Sequence, residues 1–135
     1  MSMTGPRDTL RRVIESPYKG ATGFRRVVGA ARNSFAGFAE AIRCEDAFRQ
    51  ELMLAAVCLP LAFWVGRTGF ERALLIGSVL LVLIVELLNS AIEATVDRIS
   101  FENHHLAKRA KDVGSAAVML ALVCAGLTWL LILFG

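Results

Sequence analysis

Three apolar blocks separated by polar segments dominate the pattern of the chain. They cover residues 52–65, 73–96 and 113–134, and the last block contains 22 residues without a charge. An apolar run of about 18 or more residues is typical of a helix that crosses a membrane. The first block has only 14 residues, so we expect the charged stretch 44–51 before it to continue as helix. The pattern predicts an all-α membrane protein with three transmembrane helices, at about residues 47–66, 72–96 and 112–134.

An amphipathic pattern precedes these blocks, over residues 24–43. Apolar residues recur there at steps of three and four, which places them on one helical face: Phe24, Val27, Val28, Ala31, Phe35, Phe38 and Ile42. An aromatic face with arginines beside it suits a helix on an anionic membrane surface, whereas the alternative is a helix packed on the protein's own core. Residues 1–22 are polar and punctuated by Pro and Gly, and they predict a flexible extension ahead of a membrane-embedded domain over 23–135.

Composition and charge narrow the class of protein. Hydrophobic residues make up 56% of the chain, against about 45–50% in soluble domains. This excludes a disordered chain and an ordinary cytosolic domain. Residues 1–51 and 97–112 hold thirteen of the fifteen Lys and Arg residues, and the C-terminal end holds none. The positive-inside rule then predicts that the N-terminus and the loop 97–112 are cytoplasmic.

The second block carries a polar face. Glu86, Asn89, Glu93 and Asp97 are spaced by three, four and four residues, which places them within an arc of about 80° at the predicted cytoplasmic end of the helix. Carboxylates at such depth are costly and are usually functional. Pairing with arginines across helices would explain one of them, but four polar groups on one face favour a site.

Clustered carboxylates beside a basic loop point to phosphate chemistry. Carboxylate oxygens hold Mg²⁺ well, lysines hold phosphates, and a half-buried glutamate suits a general base. Together they indicate phosphoryl transfer to a membrane-resident alcohol. The chain has neither a G-x-x-x-x-G-K-[ST] loop nor the glycine-rich loop of protein kinases. On spacing alone, a proton-coupled transporter is therefore equally defensible.

Two longer motifs carry a resemblance to a known family. They read Val85-Glu-Leu-Leu-Asn-Ser-Ala-Ile-Glu-Ala-Thr-Val-Asp-Arg98 and Ala107-Lys-Arg-Ala-Lys-Asp-Val-Gly-Ser-Ala-Ala-Val118. With Glu45-Asp-Ala-Phe-Arg-Gln-Glu51, they resemble the bacterial integral-membrane diacylglycerol kinases over residues 23–135. The resemblance implies a homotrimer in the bacterial inner membrane, with active sites shared between subunits. The implied reaction is Mg²⁺-dependent transfer of the ATP γ-phosphate to 1,2-diacylglycerol, giving phosphatidate and ADP.

The resemblance also implies roles for particular residues. Glu86 would be the general base for the lipid hydroxyl, with Asn89 supporting it, and Glu45 and Glu93 would hold the metal. The implied nucleotide contacts are Arg26, Asn33, Glu45, Glu93, Glu102, His104, Lys111 and Asp112. The implied lipid contacts are Ala31, Ser34, Phe35, Arg49, Glu51, Glu86 and Ser115.

The chain departs from the family pattern in the surface helix, and two alternative functions stay open. Asn33, Phe35 and Ala36 stand where the family often has Tyr, Trp and Lys, which bears on the nucleotide contact at position 33. An undecaprenol kinase of the same fold is one alternative, although Phe48-Arg-Gln-Glu51 and Gly114-Ser-Ala-Ala117 look more like the diacylglycerol branch. The other is a small proton-coupled exporter, which usually needs four spans and a glutamate near mid-membrane.

Overall fold

The computed structural model describes residues 23–99 and 105–135, and every regular element in these ranges is a helix. We label the four helices α1 (Gly23–Cys44), α2 (Asp46–Val65), α3 (Gly69–Ile99) and α4 (His105–Phe134). The predicted all-α class is confirmed. The predicted extension 1–22 lies outside the described residues, and the boundary that follows it stays a prediction.

Three of the helices are long and apolar enough to cross a membrane. They are α2, α3 and α4, with 20, 31 and 30 residues, against about 20 needed for a span. This confirms the three predicted transmembrane helices. Both ends of the predicted loop 97–112 are helical, because α3 continues to Ile99 and α4 begins at His105. The segment contains neither Gly nor Pro to stop a helix.

A single residue separates α1 from α2. Glu45 has an extended backbone, with φ −113° and ψ 108°, so the predicted continuous helix over 44–51 is interrupted at this point. The guanidinium of Arg49 donates hydrogen bonds to the carbonyl oxygens of Ile42 and Arg43, at 3.0 and 3.1 Å. It also pairs with Asp46. Because the last carbonyls of a helix lack partners of their own, Arg49 completes the C-terminus of α1.

The turn between α2 and α3 is tight. A Cβ atom on Gly66 would lie 2.5 Å from Cγ of Arg72 and 3.0 Å from the carbonyl oxygen of Ala62. The hydroxyl of Thr68 accepts a hydrogen bond from the Glu71 amide at 3.1 Å, and the Glu71 carboxylate accepts one from the Arg67 amide at 2.7 Å. These two bonds satisfy donors at the start of α3, which fixes where the second span begins.

The chain divides into two compact units, Met1–Ala39 and Glu40–Gly135. In the first unit, the described part of α1 keeps the predicted amphipathic pattern and leaves large apolar side chains exposed, including Phe24, Val27 and Phe35.

In the second unit, α3 packs against both α2 and α4. Small residues seven positions apart line the packed faces of the two outer helices, Ala55 and Ala62 on α2 and Gly114 and Ala121 on α4. Small side chains let helix backbones approach closely within a membrane.

Candidate active site

The site begins where the buried face of α3 turns from apolar to polar. Its buried residues are Leu75, Ser78, Val82, Glu86 and Asn89. Glu86 is 5% exposed and Asn89 is 8% exposed. Glu93 follows on the same face and is half-buried. Three residues of the predicted polar face, Glu86, Asn89 and Glu93, are therefore turned toward the packed interior of the second unit, whereas Asp97 is exposed.

Four glutamates from three parts of the chain lie close enough to interact electrostatically. Glu86 interacts with Glu45 from the joint before α2 and with Glu93 from its own helix. Glu51 from α2 interacts with Glu86. We call these four residues the carboxylate cluster. Like charges gathered in a partly buried place repel one another, so the cluster favours a cation as its partner.

Asn89 supports a different carboxylate from the one predicted. Its amide Nδ2 donates a hydrogen bond to Oε1 of Glu93 at 3.2 Å, and the described structure gives it no bond to Glu86. Its amide Oδ1 is buried and has no hydrogen-bond partner among the described residues. That oxygen faces Gly114 of α4, where a Cβ atom would lie 2.1 Å from it. Asn89 therefore occupies the contact between α3 and α4.

An apolar groove opens from the cluster along the outer surface of the helices. It has a volume of about 240 Å³ and is lined by α2, α3 and α4, chiefly with Leu, Val and Ala side chains and with Trp129. Glu51 is its one charged lining residue, and one carboxylate oxygen of Glu51 is buried without a hydrogen-bond partner within the described part of the chain. The groove therefore pairs an apolar wall with a polar end.

The basic side of the site comes from α4. Lys111 pairs with Asp97 of α3 at 2.5 Å, and it also interacts electrostatically with Glu93. Lys108 pairs with Asp112 at 2.7 Å. Both predicted nucleotide contacts on this helix, Lys111 and Asp112, thus already hold ion-pair partners. Lys111 lies beside the carboxylate cluster, and Asp112 is exposed one residue further along.

Several of the remaining predicted residues lie outside the second unit. The α1 residues belong to the first unit and are exposed: Arg26, Ala31, Asn33, Ser34 and Phe35. Glu102 and His104 lie outside the described residues. Arg49 is bound to the end of α1 and to Asp46. Ser115 is exposed on α4, next to Gly114.

The donor set of the cluster fits Mg²⁺, although it is not a closed metal site. No group of three His, Cys, Asp or Glu side chains within residues 23–99 and 105–135 converges to hold a metal ion. Magnesium usually takes one or two protein carboxylates and completes its shell with water and substrate phosphates. Glu45 and Glu93, half-buried and contributed by the α1–α2 joint and by α3, are ligands of that kind.

Two residues at the site have no role predicted from the sequence. Asp97 lies on the predicted polar face, and Gly114 belongs to one of the family motifs. A glycine inside a helix costs about 1 kcal/mol relative to alanine, so its place near the start of α4 was an available signal of close packing. The partner of that packing, Asn89, lies 25 positions away and cannot be found from helical spacing.

Comparisons with known proteins identify the family. The model of the prokaryotic diacylglycerol kinases matches residues 32–133. A diacylglycerol kinase of Pseudomonas aeruginosa is 55% identical over 120 residues, which cover 89% of this chain and 98% of that relative. Those of Escherichia coli K12 and Haemophilus influenzae are 50% and 48% identical, over 84% of this chain and 93% and 96% of the relatives. The chain belongs to the prokaryotic diacylglycerol kinase family.

Membership in the prokaryotic diacylglycerol kinase family makes the chain a kinase, which uses ATP as its phosphate donor. It also agrees with the three apolar helices of a membrane protein. The predicted resemblance is thereby confirmed. Neither the undecaprenol kinase nor the proton-coupled exporter is favoured by these comparisons.

Proposed function

We propose that this protein transfers the γ-phosphate of ATP to the primary hydroxyl of 1,2-diacylglycerol, giving phosphatidate and ADP. The observation that carries the proposal is the position of Glu86. Glu86 is 5% exposed, lies where the buried face of α3 becomes polar, and has three other glutamates around it. A lipid hydroxyl and a water-soluble nucleotide can meet at such a boundary without either leaving its own phase.

Glu86 is the general base of the proposed reaction. Its carboxylate accepts the proton of the lipid hydroxyl while the hydroxyl oxygen forms a bond to the γ-phosphorus. The bond between that phosphorus and the oxygen bridging it to the β-phosphate breaks, and ADP leaves with the electron pair. Phosphoryl transfer needs little covalent help, so positioning and charge neutralisation account for most of the rate.

Glu45 and Glu93 are the proposed metal ligands. Their carboxylates come from the α1–α2 joint and from α3, and both interact with Glu86. Bound Mg²⁺ would neutralise phosphate charge at this position. Asn89 holds the Glu93 carboxylate by its hydrogen bond of 3.2 Å.

Lys111 is the proposed phosphate contact on α4. It already lies beside Glu93, and its ammonium group is paired with Asp97, which a phosphate can replace as partner. We keep Asp112, Arg26, Asn33, Glu102 and His104 as proposed nucleotide contacts on the strength of the family resemblance.

The groove between α2, α3 and α4 supports a lipid substrate. Its apolar walls suit an acyl chain, and Glu51 stands at the end nearest Glu86. We propose that Glu51 and Ser115 contact the lipid head, with Ala31, Ser34 and Phe35 of α1 on its route of entry. Arg49 is a weaker candidate for a lipid contact, because its guanidinium is bound within the α1–α2 joint.

We further propose a homotrimer in the inner membrane, with the site at the cytoplasmic face. The unequal distribution of Lys and Arg supports this orientation. Large apolar side chains are exposed along all three long helices, including Met53, Leu88 and Leu131. Soluble monomeric proteins rarely expose apolar surfaces of this size, so we expect lipid and neighbouring subunits to cover them.

Transfer of labelled phosphate tests the proposed reaction. The purified protein in detergent receives Mg²⁺ and ATP labelled in the γ-phosphate, with a short-chain diacylglycerol and an undecaprenol in separate tubes. We expect label in phosphatidate only. Glu86→Gln should fold and lose at least about a hundredfold in kcat, since general-base catalysis is worth roughly 10²–10⁴ in rate. Label only in the polyprenol would show that undecaprenol, not diacylglycerol, is the substrate. Near-normal turnover by Glu86→Gln would overturn the assignment of Glu86 as the base.

A further inference from the structure

The contact between Gly114 and Asn89 joins α4 to the carboxylate cluster. Gly114 is buried, and Asn89 is 8% exposed. A Cβ atom on Gly114 would lie 2.1 Å from Oδ1 of Asn89 and 3.3 Å from its Cγ. The first distance is shorter than a carbon and an oxygen adopt without a bond between them, and the second is a tight contact, so only glycine fits beside this amide as it is placed.

We infer that Gly114 is a positioning residue, because the space left by its missing side chain holds the Asn89 amide in the orientation that binds Glu93. The inference rests on the proposed function in one respect, which is that Glu93 is the metal ligand. It assigns Gly114 no contact with substrate or metal. It states that the geometry of Glu93 depends on a residue of a different helix.

The nature of the overlapping atoms decides what a substitution would disturb. All three atoms that a Cβ on Gly114 would meet within 4 Å belong to the Asn89 side chain, and none belongs to a backbone. The helices therefore have no need to separate when a methyl group is added. The amide must rotate instead, and its hydrogen bond to Glu93 is the bond that rotation breaks.

The two ends of the amide are not interchangeable. Nδ2 points to the Glu93 carboxylate, whereas Oδ1 is buried against Gly114 with no hydrogen-bond partner in the described structure. Reversing the amide would place its oxygen against a carboxylate oxygen, where two acceptors repel each other. An amide displaced by a methyl group thus has no equivalent way to hold Glu93.

A Gly114→Ala variant separates this role from general packing. Helix propensity by itself favours alanine over glycine, so a loss must come from the contact. We measure the concentration of Mg²⁺ that half-saturates phosphate transfer, the KM for a short-chain diacylglycerol, and the thermal unfolding midpoint in detergent. We expect the Mg²⁺ requirement to rise by about tenfold, as for loss of a hydrogen bond to a charged group, with the lipid KM unchanged.

The matched control is Gly77→Ala on α3, where a Cβ atom would meet nothing within 4 Å. It should leave the Mg²⁺ requirement unchanged. A purely structural role for Gly114 would lower the unfolding midpoint and the amount of active protein without moving the Mg²⁺ requirement, and that result would overturn the inference.

A second substitution tests the coupling directly. Asn89→Ala should raise the Mg²⁺ requirement by about the same factor as Gly114→Ala, because both remove one hydrogen bond. The double variant should resemble Asn89→Ala alone, since Gly114 acts only through Asn89. Additive losses would contradict the inference. If Gly114→Ala alone fails to fold, the double variant should fold because the overlap is gone, and its failure would equally overturn the inference.

Binding of Mn²⁺ in place of Mg²⁺ keeps the inference separate from the proposed reaction. The paramagnetic resonance signal of free Mn²⁺ reports the metal bound by the protein in the presence of a non-hydrolysable ATP analogue. If the unaltered protein transfers no phosphate but Gly114→Ala still weakens Mn²⁺ binding through Asn89, the proposed reaction fails and the positioning role stands. If the unaltered protein is active and Gly114→Ala behaves as Gly77→Ala, the positioning role alone fails.

Discussion

At the scale of single residues, the site depends on how each carboxylate is surrounded. A buried carboxylate that lacks a partner is costly, and a membrane raises that cost further. Glu86 is buried beside three other acids, whereas Glu93 has an amide donor and lies near an ammonium group. The two residues lie on the same face of α3, two turns apart, yet their surroundings suit them to different tasks.

Removing the charge of Glu93 tests its proposed task. Glu93→Gln should raise the Mg²⁺ requirement of phosphate transfer by more than about tenfold, because a metal carboxylate ligand and a charge-assisted hydrogen bond are lost together. The measurement is initial rate against Mg²⁺ concentration at saturating lipid. Glu40→Gln, an exposed acid of the joint region, is the control. An unchanged Mg²⁺ dependence in Glu93→Gln would exclude Glu93 as a ligand.

At the scale of helices, the joints decide where the polar residues arrive. The α1–α2 joint is one residue long, and that residue is Glu45. Arg49 holds the joint by bonding to the last carbonyls of α1. The position of a proposed metal ligand thus depends on an arginine that the family resemblance assigns to the lipid.

Substituting Arg49 distinguishes these two roles. Arg49→Ala should lower the free energy of unfolding by about 1 kcal/mol, since an exposed charge-assisted hydrogen bond is worth less than a buried one. The check is denaturant unfolding in detergent micelles, with Arg67→Ala as the control. A raised KM for diacylglycerol at unchanged stability would instead favour the lipid contact.

The α2–α3 turn makes a second prediction at this scale. Gly66→Ala should destabilise the protein by about 1–3 kcal/mol, because a methyl group would overlap Arg72 and approach the backbone of Ala62. Gly69→Ala, three residues later, should be neutral or stabilising, since its Cβ atom meets nothing within 4 Å. Thermal unfolding of both variants provides the measurement. Equal midpoints for the two would show that the turn relaxes freely.

At the scale of the whole molecule, the structure has three helices long and apolar enough to cross a membrane, and an odd number of spans predicts that the two ends of the chain lie on opposite sides. The basic segments predict that the N-terminus and residues 97–112 are cytoplasmic. Alkaline phosphatase, which folds only outside the cytoplasm, should therefore be active when fused after residue 135. The same fusion after residue 103 should be inactive. Activity in the opposite pattern would show that the orientation is reversed and that the site lies at the other face of the membrane.

The helices and one face of the site could be predicted from the local pattern of residues. Membrane-spanning length and the 3.6-residue period are local properties, so three spans, the amphipathic helix and the common face of Glu86, Asn89 and Glu93 could be predicted from spacing. The family motifs, which are continuous stretches of the chain, likewise required no fold to be recognised.

The contacts between groups of different helices could be identified only from the way the helices pack. Helix periodicity fixes angles within one helix but leaves the register between two helices open, because that register depends on which small residues allow the backbones to approach. For this reason spacing could not predict that Arg49 binds the last carbonyls of α1 or that Lys111 of α4 pairs with Asp97 of α3. The contact between Gly114 and Asn89 could not be predicted from the sequence either, because the atom that occupies the space beside a glycine is known only from the packed structure.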